Sequence, residues 1–357
     1  MALGIRRVSQ TKDRAEMVDI LNRNFGPIQE RRFDWRHTLN TAGEAFSWFM
    51  YDQASKNTVA MATVFPRFMR VNGKLTRGGQ VGEFAVDSKY RSLGPAVQLQ
   101  RATFEPVDDG NVDFSYDCPP HGQGMSTFIR LGMAPNCEVF RYALLFRTDE
   151  YFASRLATGL WIKPLVAVGN LALRMRTAKP HPPDVEICEH IGAFGEEFTC
   201  LDENAGVAGA VRSSRIARVL NWRYVEDPMA SLCSSKGEAG KYQVLVARRR
   251  GELKAFLVFF IQSDGIAELV DLFGVDIPTV GFALLDAAIA VCRREKVSAL
   301  HGFCSGDSEL KPLFEALGFR RRERNAHVVA YVKPGNSTFA QMNSHARWTF
   351  SQVEVML

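Results

Sequence analysis

No Cys-x-x-Cys pair and no zinc-finger spacing occurs in the chain, although it holds seven cysteines, at positions 118, 137, 188, 200, 233, 292 and 304. An odd number without paired spacing excludes a disulfide framework and a cysteine-built metal site, so the thiols read as reduced and mostly buried. The histidines show no metal-ligand spacing either, and no metal is expected. Cys118 and His121 stand three apart around Pro119 and Pro120, a spacing that gives no reason to expect a thiol nucleophile with its base. Long apolar runs are also missing. The most apolar stretch, residues 160–173, is interrupted by Lys163, Pro164 and Asn170 and falls short of the roughly 20 residues that span a bilayer. It reads as a connector helix, with peripheral membrane contact as the alternative. Met1-Ala-Leu-Gly-Ile-Arg-Arg7 lacks the apolar core of a signal peptide, which makes the cytoplasm the expected location. Charge is not concentrated: the net value is +5, and the densest basic groups, Arg248–Arg250 and Arg320–Arg322 with Arg324, sit at strand edges. That pattern suits an anionic small molecule better than a nucleic acid.

What is present is the composition of a folded protein, with 46% apolar and 23% charged residues over 357 positions. Two compact domains of about 150 residues are the natural expectation at this length. The most informative stretch is Tyr90-Arg91-Ser92-Leu93-Gly94-Pro95-Ala96, which joins an apolar strand-like run, Val81–Val86, to a helix-like run beginning at Ala96. A turn at a helix N-terminus leaves backbone N–H groups unpaired and backed by the positive end of the helix dipole, a ready site for a pyrophosphate. Gln262-Ser-Asp-Gly-Ile-Ala267 fits the same bare pattern but lies between two strand-like runs and reads as a hairpin turn.

With its flanking strand and helix, the loop resembles motif A of the GNAT superfamily of acyl-CoA-dependent N-acyltransferases, Arg-x-x-Gly-x-Gly/Ala. The order around it is similar too: a helix at residues 13–25, antiparallel strands at 45–51 and 58–65, a turn at Asn72-Gly73, and after the loop a strand at 112–116 and a helix at 125–131. The resemblance implies an α/β (α+β) fold of two tandem domains, each a mixed, mostly antiparallel sheet flanked by helices. Residues 1–150 would form the N-terminal domain with the acyl-CoA loop, 151–190 a connector broken by Pro180-His-Pro-Pro-Asp184, 191–335 a degenerate C-terminal domain, and 336–357 a tail. The second copy shows in near-equal spacings, since Gly94 precedes Gly132 by 38 positions and Gly281 precedes Gly318 by 37. Where its phosphate loop should lie it has Val275-Asp-Ile-Pro-Thr-Val-Gly281, without an Arg or Gln lead and with Asp276 in the way, so cofactor binding reads as lost there. Trp222 and Tyr224 read as packing between the halves.

Amide-forming acyl transfer needs a held thioester, an unprotonated amine and a donor for the oxyanion. The resemblance implies direct attack by the amine, with acetyl-CoA or another acyl-CoA as donor and Val86, Arg91, Ser92, Leu93, Gly94, Pro95 and Ala96 as its binding residues. Pro95 withdraws one amide from that cradle. Glu83 is the catalytic base candidate, and burial beside Phe84 is expected to raise its pKa. Phe128 stands where relatives carry a proton-donating Tyr, which leaves Tyr116, Ser126 and Thr127 as substitutes. The expected function is an acyl-CoA-dependent N-acyltransferase acting on a small amine such as an amino sugar, amino acid or polyamine. The alternatives are a catalytically silent binding or scaffold protein of the same fold in an envelope or exopolysaccharide system, and an aminoacyl-tRNA-dependent transferase.

Overall fold

The computed structural model describes residues 2–119, 123–147, 184–205, 210–228, 242–306, 308–336 and 347–349. Residues 151–183 of the expected connector, including 160–173, and most of the tail lie outside these; the end of the stretch expected as connector instead forms a strand, Val185–Glu189, that pairs with Leu245–Arg249. In the first half the order is β1 Leu3–Arg7, α1 Arg14–Phe25, α2 Glu30–His37, β2 Phe46–Asp52, β3 Thr58–Val71, β4 Lys74–Val86, α3 Leu93–Ala102, α4 Glu105–Asp108, β5 Phe114–Asp117, α5 Gln123–Arg130 and β6 Cys137–Leu145. The second half runs β7 Val185–Glu189, α6 Glu196–Asn204, β8 Ala210–Ser213, α7 Ala217–Leu220, β9 Tyr242–Arg249, β10 Glu252–Ile261, β11 Ile266–Gly274, α8 Phe282–Arg294, β12 Ala299–Ser305, α9 Leu310–Leu317 and β13 Arg320–Tyr331, with β14 at Arg347–Trp348.

Local chemistry accounts for the turns. Asn72 and Gly73 both take positive φ, 53° and 80°, and close the β3–β4 hairpin. The stretch around Gly265 is the β10–β11 turn that the strand pattern requires, with Gly265 at φ 80°. Gly79 is needed for a different reason: a Cβ there would meet Val64 Cγ1 at 2.7 Å, so only glycine lets the neighbouring strand side chains close over β4.

The strands form one mixed sheet in the order β1-β2-β3-β4-β5-β13-β6-β12-β11-β10-β9-β7, antiparallel except where β4 meets β5 and β11 meets β12. Its centre holds a feature that strand patterns do not show, an exchange between the halves. β13, from the end of the chain, inserts between β5 and β6 and pairs Val329 with Asp117. β6, from the first half, pairs along β12 from Val139–Ser305 to Leu145–Ala299. Each half therefore completes the other's sheet.

Two side-chain ties add to the shared ladder. Trp35 of α2 and Trp222 stack with ring centroids 4.3 Å apart, and each indole N–H donates to the other residue's carbonyl, at 2.9 and 3.3 Å. Tyr224 does not share this contact; it packs in the second half's cluster with Phe194, Phe198 and Phe256. The other tie is ionic. Asp202 of α6 is fully buried and accepts from Arg70 of β3 at 2.9 Å, from Arg212, from Ser214 Oγ at 2.9 Å and from the Arg215 amide at 2.9 Å. A buried carboxylate is tolerated because several donors replace its water. Trp222 is 1% exposed, so Trp222→Ala should lower stability by about 3–5 kcal/mol in urea unfolding. A loss under about 1 kcal/mol would show that the stacked pair does not hold the halves.

Candidate functional site

Parallel pairing between β4 and β5 lasts only three residues, Gly78–Phe114, Gly79–Ser115 and Gln80–Tyr116. Beyond them β4 continues to Val86 paired to β3 alone, while β5 ends at Asp117 and pairs with β13. The two strands thus separate and leave a wedge. Its origin is a bulge: the register passes from Gly82–Thr63 to Ala85–Met61, so Glu83 and Phe84 together oppose Ala62. Glu83 takes φ +50°, the left-handed region that a glutamate seldom occupies.

Charge holds that residue in place. Glu83 Oε1 accepts from Arg36 Nη1 at 3.1 Å, and Oε2 lies 2.8 Å from His37 Nε2. His37 is fully buried, and its Nδ1 lies 3.0 Å from Gln10 Oε1, an oxygen oriented by Gln10 Nε2 donating to Ala45 O at 2.8 Å. Burial alone would push the Glu83 carboxyl up, but the charges of Arg36 and His37 and hydrogen bonds from His37 and Thr63 outweigh it and hold it at about 2. The expectation of a raised pKa is therefore corrected. Its partners come from α2, some fifty positions away, and nothing around Glu83 in the sequence announces them. A carboxyl that stays ionised down to pH 2 is too weak a base to take a proton near neutrality.

The opposite behaviour appears at Asp117, which sequence reasoning passed over. It ends β5 at the mouth of the wedge, and burial raises its carboxyl to about 7, against a small opposing effect from the Cys118 amide. Tyr116 precedes it, 1% exposed, on the other face of the strand. Ser126 is set apart, on the exposed side of α5, whereas Phe128 and Met125 are turned inward against Val329.

The loop at residues 91–96 forms the head of α3, and Arg91 through Gly94 are exposed. The Ala96 amide bonds back to Ser92 O at 3.3 Å and the Ser92 amide to Tyr90 O at 2.7 Å, while among the described residues no such bond engages the amides of Leu93 and Gly94. Pro95 supplies none. A Cβ on Gly94 would meet no atom within 4 Å, so the helix start has open space on its side-chain side. Arg91 braces the loop from behind: Nε donates to Val86 O at 2.8 Å and Nη2 to Asn24 Oδ1 at 3.2 Å. A cleft of about 700 Å³ runs alongside, between α1, the start of β3 and residues 87–91. That volume is in the range of small-molecule sites. The corresponding segment of the second half is closed. Asp276 O accepts from the amides of Thr279 and Val280, and a π-helical turn, Ile277–Gly281, leads straight into α8 with Val280 fully buried.

Strand alternation sorts the side chains around the wedge onto two faces. Val64 of β3 and Val81 of β4 pack with Leu99, on the face covered by α3. Phe65, Arg67, Gln80 and Tyr116 fall on the other, which α2 covers: Arg36 lies over the Phe65 ring at 4.7 Å, and Arg67 Nε donates to Gln80 Oε1 at 3.3 Å.

This architecture is similar to that of solved acyltransferases. A GCN5-related N-acetyltransferase from Anabaena variabilis matches 93% of this chain and 73% of its own at TM-score 0.62 and 11% identity. One from Kribbella flavida matches 93% and 71% at TM-score 0.55 and 14% identity. Saccharomyces cerevisiae N-myristoyltransferase, solved with bound myristoyl-CoA, matches 99% and 86% at TM-score 0.58 and 12% identity. No family model matches the sequence, and no curated protein is significantly similar to it. The chain has the GNAT fold, a mixed α/β architecture built on a large, mostly antiparallel sheet flanked by helices.

The Glu83 clamp has a measurable signature. Its folded pKa lies below its unfolded value, so it stabilises the fold above about pH 4.5 and that contribution fades as pH falls toward 2. Between pH 7 and pH 3 the wild type should lose about 2 kcal/mol more stability than Glu83→Gln, read by chemical unfolding at both values. Parallel losses in the two proteins would remove the clamp.

Proposed function

We propose that the protein is an acyl-CoA-dependent N-acyltransferase that uses the first half of the sheet. The observation that carries this reading is the pair of open amides, Leu93 and Gly94, heading α3 beside a wedge between β4 and β5. Backbone N–H groups at a helix start, with the helix dipole behind them, favour a phosphate. An acyl-CoA would supply the acyl group already activated as a thioester. Leu93 and Gly94, on the loop braced by Arg91 and Val86, would bind the anionic end, and acetyl-CoA is the donor we favour. The closed segment at 276–281 supports one donor site per chain.

The remaining roles follow from the surroundings of the two carboxyl groups and of Tyr116. Asp117 keeps its proton up to about pH 7 and sits where the strands part, which suits it to hand that proton to a departing thiolate. Glu83, permanently ionised, is suited to orient an incoming N–H rather than to abstract its proton. Tyr116 lies beside Arg67 on the face opposite α3, where an acceptor would enter without meeting the donor's phosphates.

Calorimetry with CoA tests the reading directly. Micromolar binding is expected, weakened about 100-fold or roughly 3 kcal/mol by Gly94→Asp, a change that the open space at Gly94 accommodates without disturbing the fold. No binding to the wild type removes the transferase and leaves a silent member of the same fold. In turnover, kcat/KM should fall as pH rises through about 7, and Asp117→Asn should lower kcat and abolish that limb. A limb that persists in the variant would take Asp117 out of the chemistry.

A further inference from the structure

One guanidinium is buried on the acceptor face without a counter-ion among the described residues. Arg67 is 8% exposed, and none of the described ion pairs includes it. Its Nε uses Gln80, its Nη2 is buried without a hydrogen-bond partner among the described residues, and its guanidinium carbon lies over Trp222, 4.9 Å from the ring centroid. Near it stand Arg223 and Arg36, whose Nε is likewise buried with no hydrogen-bond partner among the described residues. Glu83 is engaged with Arg36 at 3.1 Å. Burial, with Arg223 and Arg36 adding repulsion, brings the Arg67 pKa down to about 9 despite an opposing contribution from Tyr116. An uncompensated buried guanidinium is costly, and the cost falls away when an anion enters beside it.

Accepting the acyltransferase reading, we infer that the acceptor carries a carboxylate next to its amine, as an amino acid does, and that Arg67 receives that carboxylate on the face of the sheet opposite α3. The geometry favours a carboxylate. With Nε held by Gln80, the two Nη groups remain, and a planar pair of donors matches two carboxylate oxygens. Tyr116, which shares the register position of Gln80, and Glu83, on the bulge above, flank the place where the adjoining amine would lie. Trp222 packs against the Arg67 guanidinium, 4.9 Å away. The same charge excludes polyamines, which would bring cations to a cationic wall.

The test uses the full-length protein with N-acetylglycine, its uncharged amide and inorganic phosphate as probes at constant ionic strength, read by thermal shift and tryptophan fluorescence. N-acetylglycine should bind saturably at millimolar concentration and the amide should not. Arg67→Met, which keeps the volume and removes the charge, should weaken N-acetylglycine about 10- to 100-fold. Its affinity for CoA, measured alongside, should not change. Equal binding of acid and amide, no saturable binding of either up to 50 mM (roughly 50-fold above a millimolar Kd), tighter binding of phosphate, or equal binding by wild type and variant would each overturn the inference. Loss of CoA binding with N-acetylglycine binding intact would instead sink the acyltransferase reading and leave the anion site standing.

Discussion

The wedge exists because one glutamate is held where its backbone would not choose to be. A non-glycine residue in the left-handed region costs on the order of 1 kcal/mol, and it persists only when its surroundings over-determine it. For Glu83 those surroundings are Arg36 and His37, with Gln10 fixing the imidazole from its far side. The bulge turns β4 away from β5, and from that divergence come the open sheet edge, the separate mouth at Asp117 and the placement of α3 above it. Helix α2 thus sets the shape of a strand with which it shares no main-chain ladder.

The sheet also works as a partition. Alternation along β3 and β4 places Val64 and Val81 under α3, with Phe65, Arg67 and Gln80 on the opposite side. Open main-chain amides stand on one side and buried guanidinium groups on the other, so two anionic groups can approach the same wedge without competing for the same donors. The second half contributes to the guanidinium side through Trp222 and Arg223, which lie in a short π-helical turn against α2.

Much of this was legible in the sequence wherever the cue was local. The strand–turn–helix order around residues 91–96 follows the residue pattern, although the helix starts at Leu93 rather than Ala96, so most of the expected loop is its first turn; the Asn72-Gly73 turn is where the dipeptide places it. What could not be read depends on partners far along the chain. The charge state of Glu83 is set from α2 and the isolation of Arg67 by neighbouring arginines; Asp117 is desolvated at the end of a strand whose ladder partner, β13, comes from the far end of the chain. Each is a non-local electrostatic or desolvation effect, and single-sequence periodicity carries no information about it. Asp117 offered one signal, a carboxylate closing an apolar strand directly after Tyr116, and it was eclipsed by the glutamate on the longer strand.

The exchange of β6 and β13 has a consequence for how the chain reaches this state. Asp117 finds its ladder partner only at Val329, near the end of the polypeptide. At typical synthesis rates of about 5–20 residues per second, β5 would emerge and wait roughly 10–40 s with one edge unclosed. Such an edge invites pairing with other chains. Nascent copies crowded on one messenger are therefore at their greatest risk of entanglement during that interval, and the first half's early glycine-rich strand, which commits so little of β4 to β5, limits how much template is on offer.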